Sequence, residues 1–524
     1  MNGYLIGIII SMVVYLVVGM IAGKSVKDTN DYYVAGRRAP TILIVGSLVA
    51  SFLSTGAFLG DTGEVYSGFF MPILIVGVMQ GTGYLFGSTL FGRYVRRSEA
   101  LTLPAYFGKR FNDKKIQALA GVTTIIACLA YMLSAMQGIS TLMTAITGLE
   151  YSTCVLIAWA AFAFFTIWSG SSGVLITDTI MFLVFLVAAL VGIPFVTKEA
   201  GGWTEAIQAL ANSTTTPGII SAGANLDYLY PTAGENLTWA VTYGIVWALV
   251  VMVSPWQTSR YLMAKNEKTV LKSAIWSSAA VISITTLLYF AAAFVQKINP
   301  DLVPSNSIIW AAMNLMPKIV GIVLLTGILA AGISSASTFL SLIGFSLTND
   351  VVKFKSKDVD KQLKISRIGM LVASLVVLVL AYFNPPQIFW IMYFGGTVIA
   401  SSWAVVALMS IWSKKISATG AFWGMLLGFA GCVIVKCVGI FANITLPMYL
   451  DPFFVGIVLS VIGVIIGTKV KGRSEEEKAE YELLHKSTED IGNVRKYGFA
   501  YIIFALAFVA LLIVGYVIPY MSAK

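Results

Sequence analysis

The sequence predicts an all-helical, polytopic membrane protein with about fourteen spans. Three observations predict it. Hydrophobic residues make up 58% of the 524 positions and charged residues only 11%, with a mean hydropathy of +0.84. A soluble core of that size needs a far more polar covering. Apolar runs recur along the whole chain, each near or above the ~20 residues that cross a hydrocarbon layer as helix. Lysine and arginine fall on alternate connections: 24–40, 93–115, 260–272, 349–367, 414–418 and 469–496 hold 30 of the 35. Through the positive-inside rule, that asymmetry places these six connections in the cytoplasm and both termini outside a plasma membrane.

Taken in order, the run at 4–23 lacks a basic leading segment and a small-residue cleavage site, so it reads as a retained helix. Five runs follow at 41–62, 70–92, 116–147, 151–169 and 174–197, and five more at 237–262, 270–297, 319–348, 366–383 and 386–413. The last three lie at 419–441, 452–470 and 497–519. The longest exceed one crossing and tilt or project past the bilayer. The connection 199–236, with Gly201-Gly202, a threonine run and aromatics, is fit to cap an outer vestibule. Asn212-Ser213-Thr214 and Asn236-Leu237-Thr238 match glycosylation acceptors. Cys128, Cys154, Cys432 and Cys437 lie in or beside spans without metal-ligand spacing and read as packing residues. His485 sits in a charged, solvated connection to which no chemistry is assigned. Membrane orientation accounts for the net charge of +10, and nothing invokes nucleic acid.

Two spans read as interrupted. In the second, Ser54-Thr55-Gly56 precedes Gly60, Asp61, Gly63 and Glu64; in the seventh, Ser254-Pro255 removes a backbone donor. Breaks at matching places in two halves point to a transporter site near the midplane. Spans 2–6 (41–197) and 7–11 (237–413) then form two five-helix units. Five is odd, so the units have opposite topology, an inverted repeat, with 419–519 as C-terminal helices.

The segment Ala331-Gly332-Ile333-Ser334-Ser335-Ala336-Ser337-Thr338 carries four hydroxyls in five residues of an otherwise apolar run. They cluster along one helix face, beside carbonyls that Ala331 and Gly332 leave uncovered. Neutral oxygens in that density suit a weakly held monovalent cation. Helix–helix packing through small and hydroxylated residues is the alternative, and it stays open on the segment alone.

Several stretches together resemble the sodium/solute symporter family, which includes proline, sugar, sialic acid, pantothenate and monocarboxylate carriers. They are Tyr32-Tyr33-Val34-Ala35-Gly36-Arg37, Ala50-Ser51-Phe52-Leu53-Ser54, Thr102 through Phe111, Thr177-Asp178, Pro255 through Arg260, and the serine segment. Each is weak alone; their order and spacing are specific. The resemblance implies a LeuT-type 5+5 inverted-repeat core with extra helices at both ends. It also implies sodium as coupling ion, held by the carbonyls of Ala50, Leu53 and Ala331 and the hydroxyls of Ser334 and Ser335. For Asp178 it implies one of two roles: support of a second sodium with Ser334, Ser337 and Thr338, or a structural or gating carboxylate near the cytoplasmic end.

The expected substrate site departs from familiar members. Sugar and proline carriers have a polar residue where Phe52 stands, which speaks against a polyhydroxylated sugar. Trp247 and Pro255 are closer to the proline and organic-acid branch, although Val251 replaces its tyrosine. The expectation is a small carboxylate-bearing solute, such as an amino acid or organic acid, in a site lined by Phe52, Trp247, Gln80 and Trp390. Asp61 and Glu64, three residues apart, are placed at the outer end of the second span, facing a vestibule that draws in cations or contacts a substrate amine. A solvated helix end is the plainer reading of that pair.

These expectations add up to secondary active symport by alternating access, with no covalent chemistry: the sequence has no nucleotide loop, catalytic triad or metal cluster. A proton-coupled carrier using Asp178 or Glu64, and a sugar or sialic-acid type symporter, are the alternatives. A channel lacks its repeated pore loop, and a sensor its appended signalling domain.

Overall fold

The computed structural model describes residues 3–23, 29–213, 220, 233–352, 359–383, 387–442, 444, 446–486 and 491–523. Within these the chain is helical throughout, and the only β pairing is an isolated bridge between Ala39 and Ala264. The first helices are α1 (Gly3–Gly23), α2 (Thr41–Phe52), α3 (Phe70–Phe86), α4 (Lys114–Thr147) and α5 (Tyr151–Glu199). Next come α6 (Ala233–Val253), α7 (Pro255–Met263), α8 (Glu267–Ile298), α9 (Lys318–Phe345) and α10 (Val359–Phe383). The last four are α11 (Ile388–Trp412), α12 (Ala418–Ala442), α13 (Pro452–Val470) and α14 (Val494–Leu512). Eleven helical stretches among the described residues are long and apolar enough to cross a membrane.

Both interruptions are present. α2 stops at Phe52 because Leu53 adopts φ −74°, ψ 67°, outside the helical region. The chain resumes in wide π-type turns at Gly56–Asp61 and Val65–Phe69. At Gly68, φ is +117°, a conformation that glycine reaches without a Cβ clash, and there the second predicted run parts from the third. α6 and α7 are separated at Ser254, whose ψ of 144° is extended, with Pro255 at the first position of α7 where its missing N–H costs nothing.

One boundary differs from expectation. Runs 151–169 and 174–197 fall within one helical stretch of 49 residues, α5. Nearly half of the connection expected to cap a vestibule, 214–219 and 221–232, lies outside the described residues. Asn236, one of the glycosylation matches, is buried.

Five elements converge at the centre: α5 packs on α9, α1 and α2, and α7 rests against α2 and α9. Around them α3, α6 and α8 form one wall and α4 and α11 another. α12 and α13 pair closely with each other, whereas α14 turns nearly all its apolar surface outward, as a lipid-facing helix does. On the side of the basic connections, Glu475–His485 is a docked helix and not a solvated segment. Arg97 donates to Leu484 O, Arg110 Nη1 donates to Glu477 O at 3.2 Å, and Tyr481 and Leu484 are buried.

Candidate functional site

The end of α2 exposes backbone oxygens. The Ser54 N–H, which would complete α2 by reaching Ala50 O, turns back to Phe52 O at 2.8 Å. Further along, Gly56 N–H donates to Ser54 Oγ at 3.1 Å and Phe58 N–H to Ser54 O at 3.2 Å. Ala50 O and Leu53 O therefore receive no backbone donor across the break, although both residues are fully buried. Buried carbonyls left without a donor are uncommon and call for a partner.

α9 brings the hydroxyl cluster to this break. A Cβ added at Gly332 would lie 2.8 Å from Thr55 Cγ2 and 2.6 Å from Ile139 Cγ1, so only glycine allows the approach. Ala331, Ser334 and Ser335 are fully buried. Ser335 Oγ has no protein hydrogen-bond partner. Ser334 Oγ donates to Asp178 Oδ1 at 2.5 Å, and Ser337 Oγ donates to Ser334 O at 2.8 Å. An unpaired buried hydroxyl on α9, and two buried carbonyls without a backbone donor at the α2 break that α9 meets through Gly332 and Thr55, are groups that suit a small cation; the energetic penalty of the unpaired hydroxyl is ~1–3 kcal/mol.

Asp178 is fully buried and accepts from Ser47 Oγ at 2.5 Å and from Arg260 Nη2 at 3.2 Å, besides Ser334. Arg260 also donates from Nε to Ser47 Oγ (2.9 Å), from Nη1 to Trp256 O (2.9 Å) and from Nη2 to Thr338 Oγ1 (2.6 Å). This buried ion pair thus ties together α2, α5, α7 and α9. Arg260 was not expected here. It counts in the sequence as the first cation of a basic connection, yet it is 2% exposed. The guanidinium occupies the space between Asp178 and Thr338 where a second sodium was one expectation.

Above the break lies a small cavity of about 20 Å³. Phe52, Gln80 and Trp247 line it, as expected, and so does Asp61. Asp61 is 7% exposed and accepts from Tyr289 Oη at 2.9 Å, which removes it from the vestibule and from any solvated helix end. Trp390 stands apart. With Glu64 it borders a separate cavity of about 300 Å³ beside Pro304 and Gln387, away from the basic connections. A third, small cavity of about 30 Å³, next to Tyr33, Thr102 and Pro104 of the basic connections, is bounded by Arg260 and Thr338. α7 therefore separates two spaces: Trp256 and Gln257 face the central one, Ser259 and Arg260 the one on the basic side.

Sequence reasoning missed Tyr131, Trp256 and Gln257 in the central cavity. Tyr131 is one aromatic among many in a long apolar helix, with no signal to single it out. Gln257, two residues after the proline break and fully buried, was legible as a polar residue with no reason to be in lipid.

Comparison with known proteins agrees with this geometry. The sodium:solute symporter family matches residues 32–428. The chain is 25% identical over 446 residues to a sodium/proline symporter of Salmonella typhimurium, covering 81% of this chain and 86% of that protein. It is 23% identical over 483 residues to a sodium/pantothenate symporter of Escherichia coli, covering 88% and 96%. Among solved structures, a substrate-bound, outward-open Na+-coupled sialic acid symporter superposes with a TM-score of 0.74 at 16% identity, over 90% of this chain and 99% of that one. That likeness shows the fold, a LeuT-type core within an all-α membrane protein. The chain belongs to the sodium:solute symporter family, whose members are sodium-coupled transporters and not enzymes.

Proposed function

We propose that this chain imports a small, carboxylate-bearing organic solute across the plasma membrane, both termini outside, by coupling it to inward sodium movement. The observations that carry the reading are the buried Ala50 and Leu53 carbonyls without a backbone donor, the unpaired Ser335 hydroxyl on the helix that meets this break at Gly332 and Thr55, and a cavity lined by Phe52 and Ser54 beside the break. Sodium bound there, with Ala331 and Ser334 completing the shell, stabilises the arrangement of α2 against α9 in which the cavity accepts solute. Coupling requires that differential affinity for the two states. The units 41–197 and 237–413 then rock so that the cavity opens first to the outer space beside Glu64 and Trp390, and then to the space under Arg260. Each sodium moved through 100 mV supplies ~2.3 kcal/mol beyond its concentration gradient.

Asp178 fits the gating role better than a second sodium site. Its carboxylate is committed to Arg260, Ser47 and Ser334, and opening the inner path requires α7 to carry Arg260 away from it. The same commitment makes it a poor proton carrier. Measuring the sodium dependence of solute-induced thermal stabilisation in Ser335→Ala tests the reading: the half-saturating sodium concentration rises if Ser335 is a ligand, and an unchanged value in both Ser335→Ala and Ser334→Ala refutes the assignment.

A further inference from the structure

Asp61 has no part in the sodium site, and its surroundings bear on what the cavity takes. Its carboxylate is buried and receives a hydrogen bond from Tyr289, which uses a fraction of its acceptor capacity. It shares the cavity with the rings of Phe52, Tyr131, Trp247 and Trp256. Tyr131 lies with its ring centroid 4.5 Å from that of Trp256 and 6.4 Å from that of Trp247, at interplanar angles of 46° and 81°, so the walls present both faces and edges. Among the described residues no lysine or arginine lines the cavity; Arg260, on the same helix as Trp256, faces the other space and is engaged by Asp178. Two buried donors in the cavity wall, Tyr131 Oη and Gln257 Nε2, have no protein partner.

That combination discriminates by charge. A simple anion bound here meets a buried like charge and no cation other than the coupling ion. A positively charged nitrogen meets a carboxylate and aromatic faces, whose quadrupoles attract cations most strongly where water is excluded. The unpaired donors remain for the solute's oxygen atoms.

We propose, on the symport reading above, that the central cavity selects a solute carrying an ammonium group, held by the Asp61 carboxylate among aromatic rings, with Tyr131 and Gln257 donating to its carboxylate or hydroxyl end. The substrate class is thereby a zwitterion of amino-acid or betaine type, or a small amine, and not an organic anion or a sugar.

The test is thermal stabilisation of the purified full chain in sodium and in potassium. The probes are proline, alanine, glycine betaine and choline, together with 3,3-dimethylbutyrate (the carbon isostere of the betaine), glucose and pantothenate. The expected result is sodium-dependent stabilisation by at least one ammonium compound. Its nitrogen-free counterpart acts at concentrations at least about ten-fold higher. Asp61→Asn abolishes the solute effect while the shift caused by sodium alone persists, which shows the variant is folded. Equal stabilisation by 3,3-dimethylbutyrate and glycine betaine overturns the proposal, as does a best ligand without nitrogen charge, or unchanged solute binding in Asp61→Asn. If no solute of any class distinguishes sodium from potassium, the symport reading itself fails, and this one with it.

Discussion

Ser334 donates its hydroxyl to Asp178 at 2.5 Å, and so joins the hydroxyl cluster of α9 to a carboxylate that also holds Arg260. The neighbouring Ser335 hydroxyl is buried to the same degree and has no protein partner. Two adjacent serines on one helix therefore face different tasks. Ser335→Ala removes a prospective sodium ligand and nothing else, so half-saturating sodium rises ~3–10-fold while the unfolding temperature in potassium stays within a degree or so. Ser334→Ala raises the sodium requirement and also lowers stability without sodium, because Asp178 loses a donor. Titrating thermal stability against sodium in both variants separates the two effects.

The Asp178–Arg260 pair is buried on both sides, at 1% and 3% side-chain exposure. Removing one member leaves an uncompensated charge, which costs about 3–5 kcal/mol in comparable buried pairs. Asp178→Asn is expected to destabilise by that order, and Asp178→Asn combined with Arg260→Met to recover a substantial part of the loss. A double mutant no more stable than Asp178→Asn shows that the pair is not the reason for the damage. Transport is expected to fall in both variants, since the gate is lost either way.

Gly332 sets how closely α9 approaches the broken helix. Gly332→Ala places a methyl carbon under 3 Å from Thr55 and Ile139, which is too close without a shift of α9. Overpacking of this kind costs about 1–3 kcal/mol and here pulls Ser335 away from Ala50 and Leu53. Lower stability and a raised sodium requirement are expected together. Gly472→Ala, where nothing lies within 4 Å, is the neutral control.

Trp247 and Trp390 were assigned to one substrate site by sequence, and the structure separates them. Trp247→Ala removes a wall of the central cavity and weakens solute-induced stabilisation ~10-fold or more, the scale of a buried aromatic contact. Trp390→Ala alters the outer cavity, so equilibrium solute affinity changes less than three-fold while uptake slows. Equal losses of affinity in the two variants argue for one continuous site.

Much of this architecture is legible in the chain because membrane spans announce themselves by length and apolarity, and because Leu53-Ser54 and Ser254-Pro255 break helices for local reasons. The serine segment was legible for the same reason: hydroxyls in a lipid-length helix demand partners. What escaped notice depends on tertiary placement. Arg260 follows a short helix into the protein instead of facing the basic connection, and no pattern in the neighbouring sequence distinguishes it from Lys265 or Lys268, which point outward or to the surface. Asp61 looked like a helix end because glycines flank it at Gly60 and Gly63. Gly60 instead faces Ile388 and Phe389 of α11 and Gly63 faces Pro304 and Ser305, while Tyr289 of α8 sits beside the carboxylate. The continuity of α5 across a glycine- and serine-rich stretch was hidden because such residues weaken a helix by a few tenths to about 1 kcal/mol each without ending it.

The central claim, sodium-driven solute import, is tested most directly by accumulation in proteoliposomes. Vesicles containing the purified chain are given an inward sodium gradient and a labelled mixture of proline, glycine betaine and pantothenate, at fixed pH on both sides. The account predicts that at least one solute accumulates above equilibrium, that replacing sodium by potassium abolishes this, and that Ser335→Ala restores it only at higher sodium. Accumulation that persists without sodium, or that follows an imposed pH gradient instead, contradicts it.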